Sequence, residues 1–150
     1  MTATLPAATA ADNRALPAAR AVIDAVNTKD LTAIPDLVTA DFVDHGSPFP
    51  LPPGPDGYTQ ILTFVTRVLD FQYEIADLFC TPERIVIRTI AHGHAVAPVH
   101  GPDFAGRPYS MATIHIFRTD GDRLAEHWGV RDELGMLVQI GAMPAPTLPE

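Results

Sequence analysis

Cysteine is almost missing from this chain: Cys80 stands alone among 150 residues. One thiol excludes an internal disulfide and any cysteine-rich metal site, and its place near the end of a strand-like run suits a buried, inert side chain. Long apolar runs are missing as well. Mean hydropathy is only +0.11, and no stretch reaches the ~18 residues that a membrane-spanning helix needs. Positive charge is scarce, with 10 Lys and Arg against 18 Asp and Glu and a net charge of -8. That sign is wrong for holding phosphates, so neither nucleic acid nor an anionic membrane surface is expected as a partner. The first residues, rich in Ala and Thr, lack the basic start and apolar core of an export signal. A cytoplasmic location is therefore expected.

What the sequence does contain is apolar content for one core, 47% of residues, in a length typical of one domain. Residues 1–13 show no hydrophobic period and are expected to form a disordered arm. Residues 143–150 are expected to be a flexible, proline-rich tail. Between them, Ala19, Val22, Ile23 and Val26 share one helical face, and Asn27 to Asp30 end that helix. Leu31, Ile34, Leu37 and Val38 suggest a short second helix restarted at Pro35. Asp41 to His45 is briefly extended, and the proline-rich segment 46–54 reads as a rim over a cavity. Pro55 suits the first position of a third helix, along which Tyr58, Ile61, Leu62, Val65, Val68 and Leu69 recur at helical spacing.

Beyond Asp70 the period falls to two. Phe71, Tyr73 and Ile75 alternate with polar residues, Thr81-Pro82-Glu83 turns the chain, and Arg84–His94 and Tyr109–Arg118 are β-branched runs. Thr119 to Asp122 marks a hairpin leading into a last strand, Arg123–Val130, and a short helix surrounds Leu134, Leu137 and Ile140. Helices followed by an antiparallel meander predict an α+β fold whose curved sheet wraps the helices and leaves a cavity at one end.

The segments Asp41-Phe-Val-Asp-His45, Gly54-Pro-Asp-Gly-Tyr58, Arg84 to His94 and Arg123-Leu-Ala-Glu-His-Trp-Gly-Val-Arg-Asp-Glu-Leu-Gly-Met-Leu137 occur in an order that resembles the SnoaL-like polyketide cyclases. These lie within the nuclear-transport-factor-2-like superfamily, which also holds ketosteroid isomerase. The resemblance covers residues 15–142. It implies a cone-shaped α+β barrel with three N-terminal helices on a mostly antiparallel sheet, a homodimer formed through the outer sheet face, and acid/base catalysis without metal or organic cofactor. In such cyclases an aspartate removes a proton beside a carbonyl, and a histidine on the neighbouring strand holds the oxyanion. That histidine falls on His115. The aspartate should follow Glu-His-Trp directly, and the residue there is Gly129, which can neither take nor present a proton.

Histidine titrates near neutral pH, so the six histidines are the candidates to replace that carboxylate. His127 precedes Gly129 by two residues and so shares its strand face. A three-residue loop at Asp120-Gly121-Asp122 would place His115 on that face too, whereas a two-residue loop would separate them; the family pattern favours the longer loop. Asp44 and His45, just before the rim, complete the catalytic candidates. Tyr58, Phe64, Arg88, His92, Thr113, Trp128 and Gly129 are expected to contact substrate, with Arg88 holding an anionic oxygen or pairing with an acid such as Asp132. Asp132 otherwise caps the last helix. His92, His94 and His100 hint at a metal, but no Asp or Glu follows between Ala95 and Pro102, and no metal site is expected. The function expected is acid/base chemistry on an aromatic or polycyclic polyketide-type molecule: aldol cyclisation, or a related isomerisation, dehydration, epoxide opening or hydroxylation. The alternative is a non-catalytic binder of an apolar small molecule.

Overall fold

The computed structural model describes residues 13–149; all but the last residue of the expected N-terminal arm lies outside them. The chain runs α1 (Leu16–Thr28), α2 (Ile34–Leu37), β1 (Val38–Asp44), α3 (Pro55–Val68), β2 (Asp70–Thr81), β3 (Arg84–His94), α4 (Ala97–His100), β4 (Pro108–Asp120), β5 (Arg123–Arg131) and α5 (Glu133–Gln139). The five strands form one curved sheet in the order β1-β5-β4-β3-β2, left open rather than closed into a barrel. Three neighbour pairs are antiparallel, as the meander predicts, while β1 joins the edge of β5 in parallel.

Asn13 belongs to the fold rather than to an arm. It is buried, its amide donates to the carbonyl of Thr81 at 2.9 Å and to Thr119 Oγ1 at 3.1 Å, and its Oδ1 accepts from the Ala15 amide as α1 begins. Helix α1 ends where Lys29 turns left-handed at φ 61°. Val38, expected in the second helix, is already extended and opens β1. Gly54 precedes Pro55, whose fixed φ suits the first turn of α3. Residues 144–149 carry neither helix nor strand and lie exposed. No described helix is long and apolar enough to cross a membrane.

Period-two alternation divides the sheet into two faces. In β3 it sends Ile85, Ile87, Thr89 and Ala91 inward, each fully buried, and leaves Arg88, His92 and His94 exposed outside. Helices α1 and α3 cover the concave side with Val22, Ile23, Val26, Ile61 and Leu62. Burying side chains such as Ile85, Ile87 and Phe117 completely contributes roughly 1.5–3 kcal/mol each. Cys80 sits in this core as a free thiol.

The β4–β5 hairpin departs from expectation in an instructive way. Asp120 pairs with Arg123, so the loop is the two residues Gly121-Asp122, with Gly121 at φ 59°. That loop alone would set His115 and His127 on opposite faces. The register then slips: Thr119 pairs with Leu124, but Arg118 pairs with Glu126. Ala125 is the extra residue of a β-bulge, and Leu124 and Ala125 are consecutively buried. The bulge restores the parity, so that Phe117 opposes His127 and His115 opposes Gly129 on the concave face.

Candidate active site

The concave face and α3 enclose a cavity of about 370 Å³. Its depth is apolar, with Leu62, Phe71, Met111 and Phe117 among the walls. Its mouth is marked by lining residues that stay exposed: Phe49, Val99, Arg131 and Glu133.

Four strands deliver a connected set of polar side chains to this space. Strand β1 contributes Asp44, which lies opposite His127 in the parallel register. Asp44 Oδ1 accepts from His127 Nδ1 at 2.8 Å and from the Gly46 amide at 2.8 Å. His127 Nε2 meets His115 Nδ1 at 3.0 Å, and His115 Nε2 lies 3.4 Å from Thr89 Oγ1. Both histidines are 7% exposed and Thr89 is fully buried. The proton positions follow from the chemistry of the ends: an ionised carboxylate only accepts, so His127 carries its proton on Nδ1. In that tautomer His127 Nε2 accepts from His115 Nδ1–H. His115 Nε2 is left as the basic nitrogen with the longest, weakest tie.

The electrostatics support that assignment. Burial, then the neighbouring His127, then Arg131 push the His115 pKa down to about 3, so its ring stays neutral near pH 7. A proton accepted at His115 Nε2 can therefore be matched by release of the Nδ1 proton to His127. The positive charge then settles on the ring that faces Asp44. Tyr58 and Tyr73 also line the cavity. Burial, aided by Asp44, holds the Tyr58 hydroxyl well above its ordinary range. Burial lifts Tyr73 to about 12 against the opposing pull of Arg131. Both phenols remain hydrogen-bond donors near pH 7. The Tyr73 ring stands edge-on to His115 at 5.3 Å.

Of the residues named from the sequence, Asp44, Tyr58, Phe64, His115 and His127 line the cavity. Gly129 and Thr113 share the concave face, and the buried Thr113 hydroxyl has no hydrogen-bond partner among the described residues. Four others are turned away by strand parity. His45 follows Asp44 and projects outward, where it pairs with Glu126 at 2.8 Å and stacks on Trp128 at 4.9 Å. Trp128 follows His127 in the same way, with the Arg84 guanidinium over its ring. Arg88 and His92 do share a strand face, but it is the convex one; His92 bonds Glu74 and Ser110 there. Among the described residues no three His, Cys, Asp or Glu side chains converge as a metal site would require. Asp132 caps α5 by accepting from the Gly135 amide.

Sequence reasoning overlooked Thr89, Tyr73 and Arg131. The alternation in β2 already placed Tyr73 with the inward Phe71, and Arg131 stands two residues beyond Gly129 on the same face. Both signals were available once the face of Gly129 was known.

No functionally curated protein matches the sequence. Solved structures match it closely in shape. IdmH from Streptomyces antibioticus, assigned as a polyketide cyclase, is 25% identical with a TM-score of 0.68, covering 83% of this chain and 96% of that one. A SnoaL-like polyketide cyclase from Agrobacterium tumefaciens is 18% identical with a TM-score of 0.70, covering 83% and 95%. An LEH-like epoxide hydrolase from M. tuberculosis is 14% identical with a TM-score of 0.66, covering 86% and 90%. The last two likenesses concern the fold alone. The family model for SnoaL-like polyketide cyclase matches residues 17–140, nearly the whole described chain. This chain therefore belongs to the SnoaL-like polyketide cyclase family.

Proposed function

We propose that the chain is an acid/base enzyme acting on an apolar aromatic or polycyclic polyketide-type molecule, with the buried Asp44–His127–His115 relay as its proton-transfer device. The observation that carries this reading is the relay itself. Two buried imidazoles are joined at 3.0 Å and backed by a carboxylate at 2.8 Å in an otherwise apolar cavity. Packing alone has no use for three ionisable groups held out of water, because their desolvation opposes folding.

In the proposed step, His115 Nε2 takes a proton from a carbon beside a substrate carbonyl. His115 Nδ1–H passes to His127, whose imidazolium is stabilised by Asp44. Tyr58 or Tyr73 donates to the enolate oxygen. Return of the proton along the same chain completes an isomerisation or the protonation that ends a cyclisation, so the step uses only the chain's own groups. Gly129 then stands where the family carboxylate is expected, and His127 with Asp44 supplies the basicity instead. A Cβ at residue 129 would sit 3.1 Å from His127 Cε1, so the bare backbone and this ring position go together.

The proposal includes a homodimer formed through the convex sheet face, supported by the exposed Ile114, Ile116 and Val130, of which Val130 is 75% exposed. A second reading, a carrier of apolar ligands without turnover, draws on the same glycine: the position of the family base holds no side chain. Conversion of a panel of polyketide methyl esters by wild type, His115→Ala, His127→Ala and Asp44→Asn separates the two. Turnover by wild type, reduced by about 10²–10⁴ in the histidine variants while binding persists, is the result expected of an enzyme. Binding by wild type with no conversion of any member would establish the carrier.

A further inference from the structure

The described residues that line the cavity include two carboxylates, Asp44 and Glu133, and one guanidinium, Arg131. Asp44 is occupied by His127 and the Gly46 amide. Arg131 is not comparably occupied. Its Nη2 lies 3.5 Å from the Gly46 carbonyl, and its Nη1 lies 3.6 Å from Glu133, whose side chain is 63% exposed. Both contacts are longer than good N–H···O bonds. A guanidinium fork with unspent donors thus stands at the mouth of an apolar cavity.

The neighbouring glycine gives this fork something to act on. An atom placed where residue 129 would carry its Cβ lies 3.4 Å from His127 Nε2 and 4.0 Å from Arg131 Nη2. The space over Gly129 is thus walled by the imidazole of the relay on one side and the guanidinium on the other. Any side chain at residue 129 would fill it.

We propose that Arg131 and the bare backbone of Gly129 form an anion-binding subsite that takes a carboxylate carried by an otherwise apolar substrate. The proposal rests on reading the cavity as a substrate site and names the class of molecule that enters it. A planar carboxylate matches the two-pronged guanidinium, which a lone carbonyl does not. Its position at the mouth keeps it partly hydrated, so its charge need not be fully stripped of water, while the ring system enters the apolar depth. Glu133, which meets this fork at 3.6 Å with its side chain largely exposed, is loosely held and free to turn to solvent as the carboxylate arrives. Arg131 here assumes the anion-holding role that the sequence suggested for the outward-facing Arg88.

Isothermal titration with anthracene-9-carboxylate and its methyl ester tests this without requiring turnover. Wild type is expected to bind the acid at least about tenfold more tightly than the ester. Arg131→Met should abolish that preference and leave the ester's affinity within about twofold, which also shows the variant is folded. Glu133→Gln should tighten the acid a few-fold, and Gly129→Ala should weaken it. Equal affinities in wild type, equal losses for acid and ester in Arg131→Met, or binding of neither probe would overturn the subsite. A preference for the acid with no turnover of any substrate would keep the subsite and defeat the catalytic reading. Relay-dependent turnover with no such preference would do the reverse.

Discussion

The two faces of this sheet carry the same residue type under opposite conditions. On the concave face, His115 and His127 are buried, bonded to each other, and connected to one carboxylate. On the convex face, His45, His92 and His94 are largely in water, each beside its own carboxylate: Glu126, Glu74 and Asp70. The outer pairs are surface histidine–carboxylate contacts, worth little to stability and free to exchange partners. The inner set has no water to fall back on, so each lost partner leaves a buried polar group unsatisfied. Chemistry is thus expected of a histidine here because of the face its strand presents, not because of its residue type.

The strongest way to break the distinction is to insert one alanine between Glu126 and His127. With Arg118 still opposite Glu126, the insertion would turn His127, Gly129 and Arg131 outward and bring Trp128 and Val130 onto the concave face. Thermal unfolding should report a melting temperature lower by more than ~10 °C, or no folded protein, since Asp44 and His115 would lose their buried partner and an indole would enter the core. Next in size is catalysis. Asp44→Asn should lower kcat by about 10²-fold or more in the polyketide-ester assay, whereas His92→Ala should leave it within about twofold. Equal losses in both would erase the difference between the faces.

The fold was largely legible before the structure because its signals are local. The run Arg84–His94 is β3 residue for residue, and the helical spacing from Pro55 marks α3. The site was only half legible. Period two shows that Asp44 and His45, or His127 and Trp128, point opposite ways, but it does not say which of each pair points inward. That choice is made by the extra residue at Ala125 and by the parallel docking of β1, which joins residues 83 positions apart. Neither leaves a mark in a short window of sequence. Arg88 and His92 were assigned inward for the same reason: their shared face was visible, its direction was not.

The inner set should also be visible in the pH dependence of stability. The folded-state pKa of His115 is lowered, to about 3, from an unfolded value near 6.5. Between those values the unfolded chain binds a proton that the native one does not, so stability is fully present above pH ~6.5 and declines as pH falls toward ~3. Denaturant titrations across that window should show the decline, and His115→Phe should flatten it. His94→Phe, on the outer face, should leave the slope in place. The smallest effect concerns assembly. Wild type is expected to sediment as a dimer and Val130→Lys as a monomer, with the circular dichroism spectrum unchanged because Val130 is already exposed in one chain.

The bulge at Ala125 also changes what this hairpin can tolerate over time. Exposed turns are ordinarily the places where chains gain and lose residues at little cost. Here Gly121 and Asp122 form such a turn, and Ala125 adds a second place of slack behind it: a hairpin lacking that residue would close as a regular two-residue loop with Arg118 still opposite Glu126 and Phe117 opposite His127. Beyond Glu126 there is no such slack, because one residue gained or lost there turns the rest of the strand inside out. Among natural variants, length is therefore expected to vary by one before Glu126 and to stay constant from His127 to Arg131.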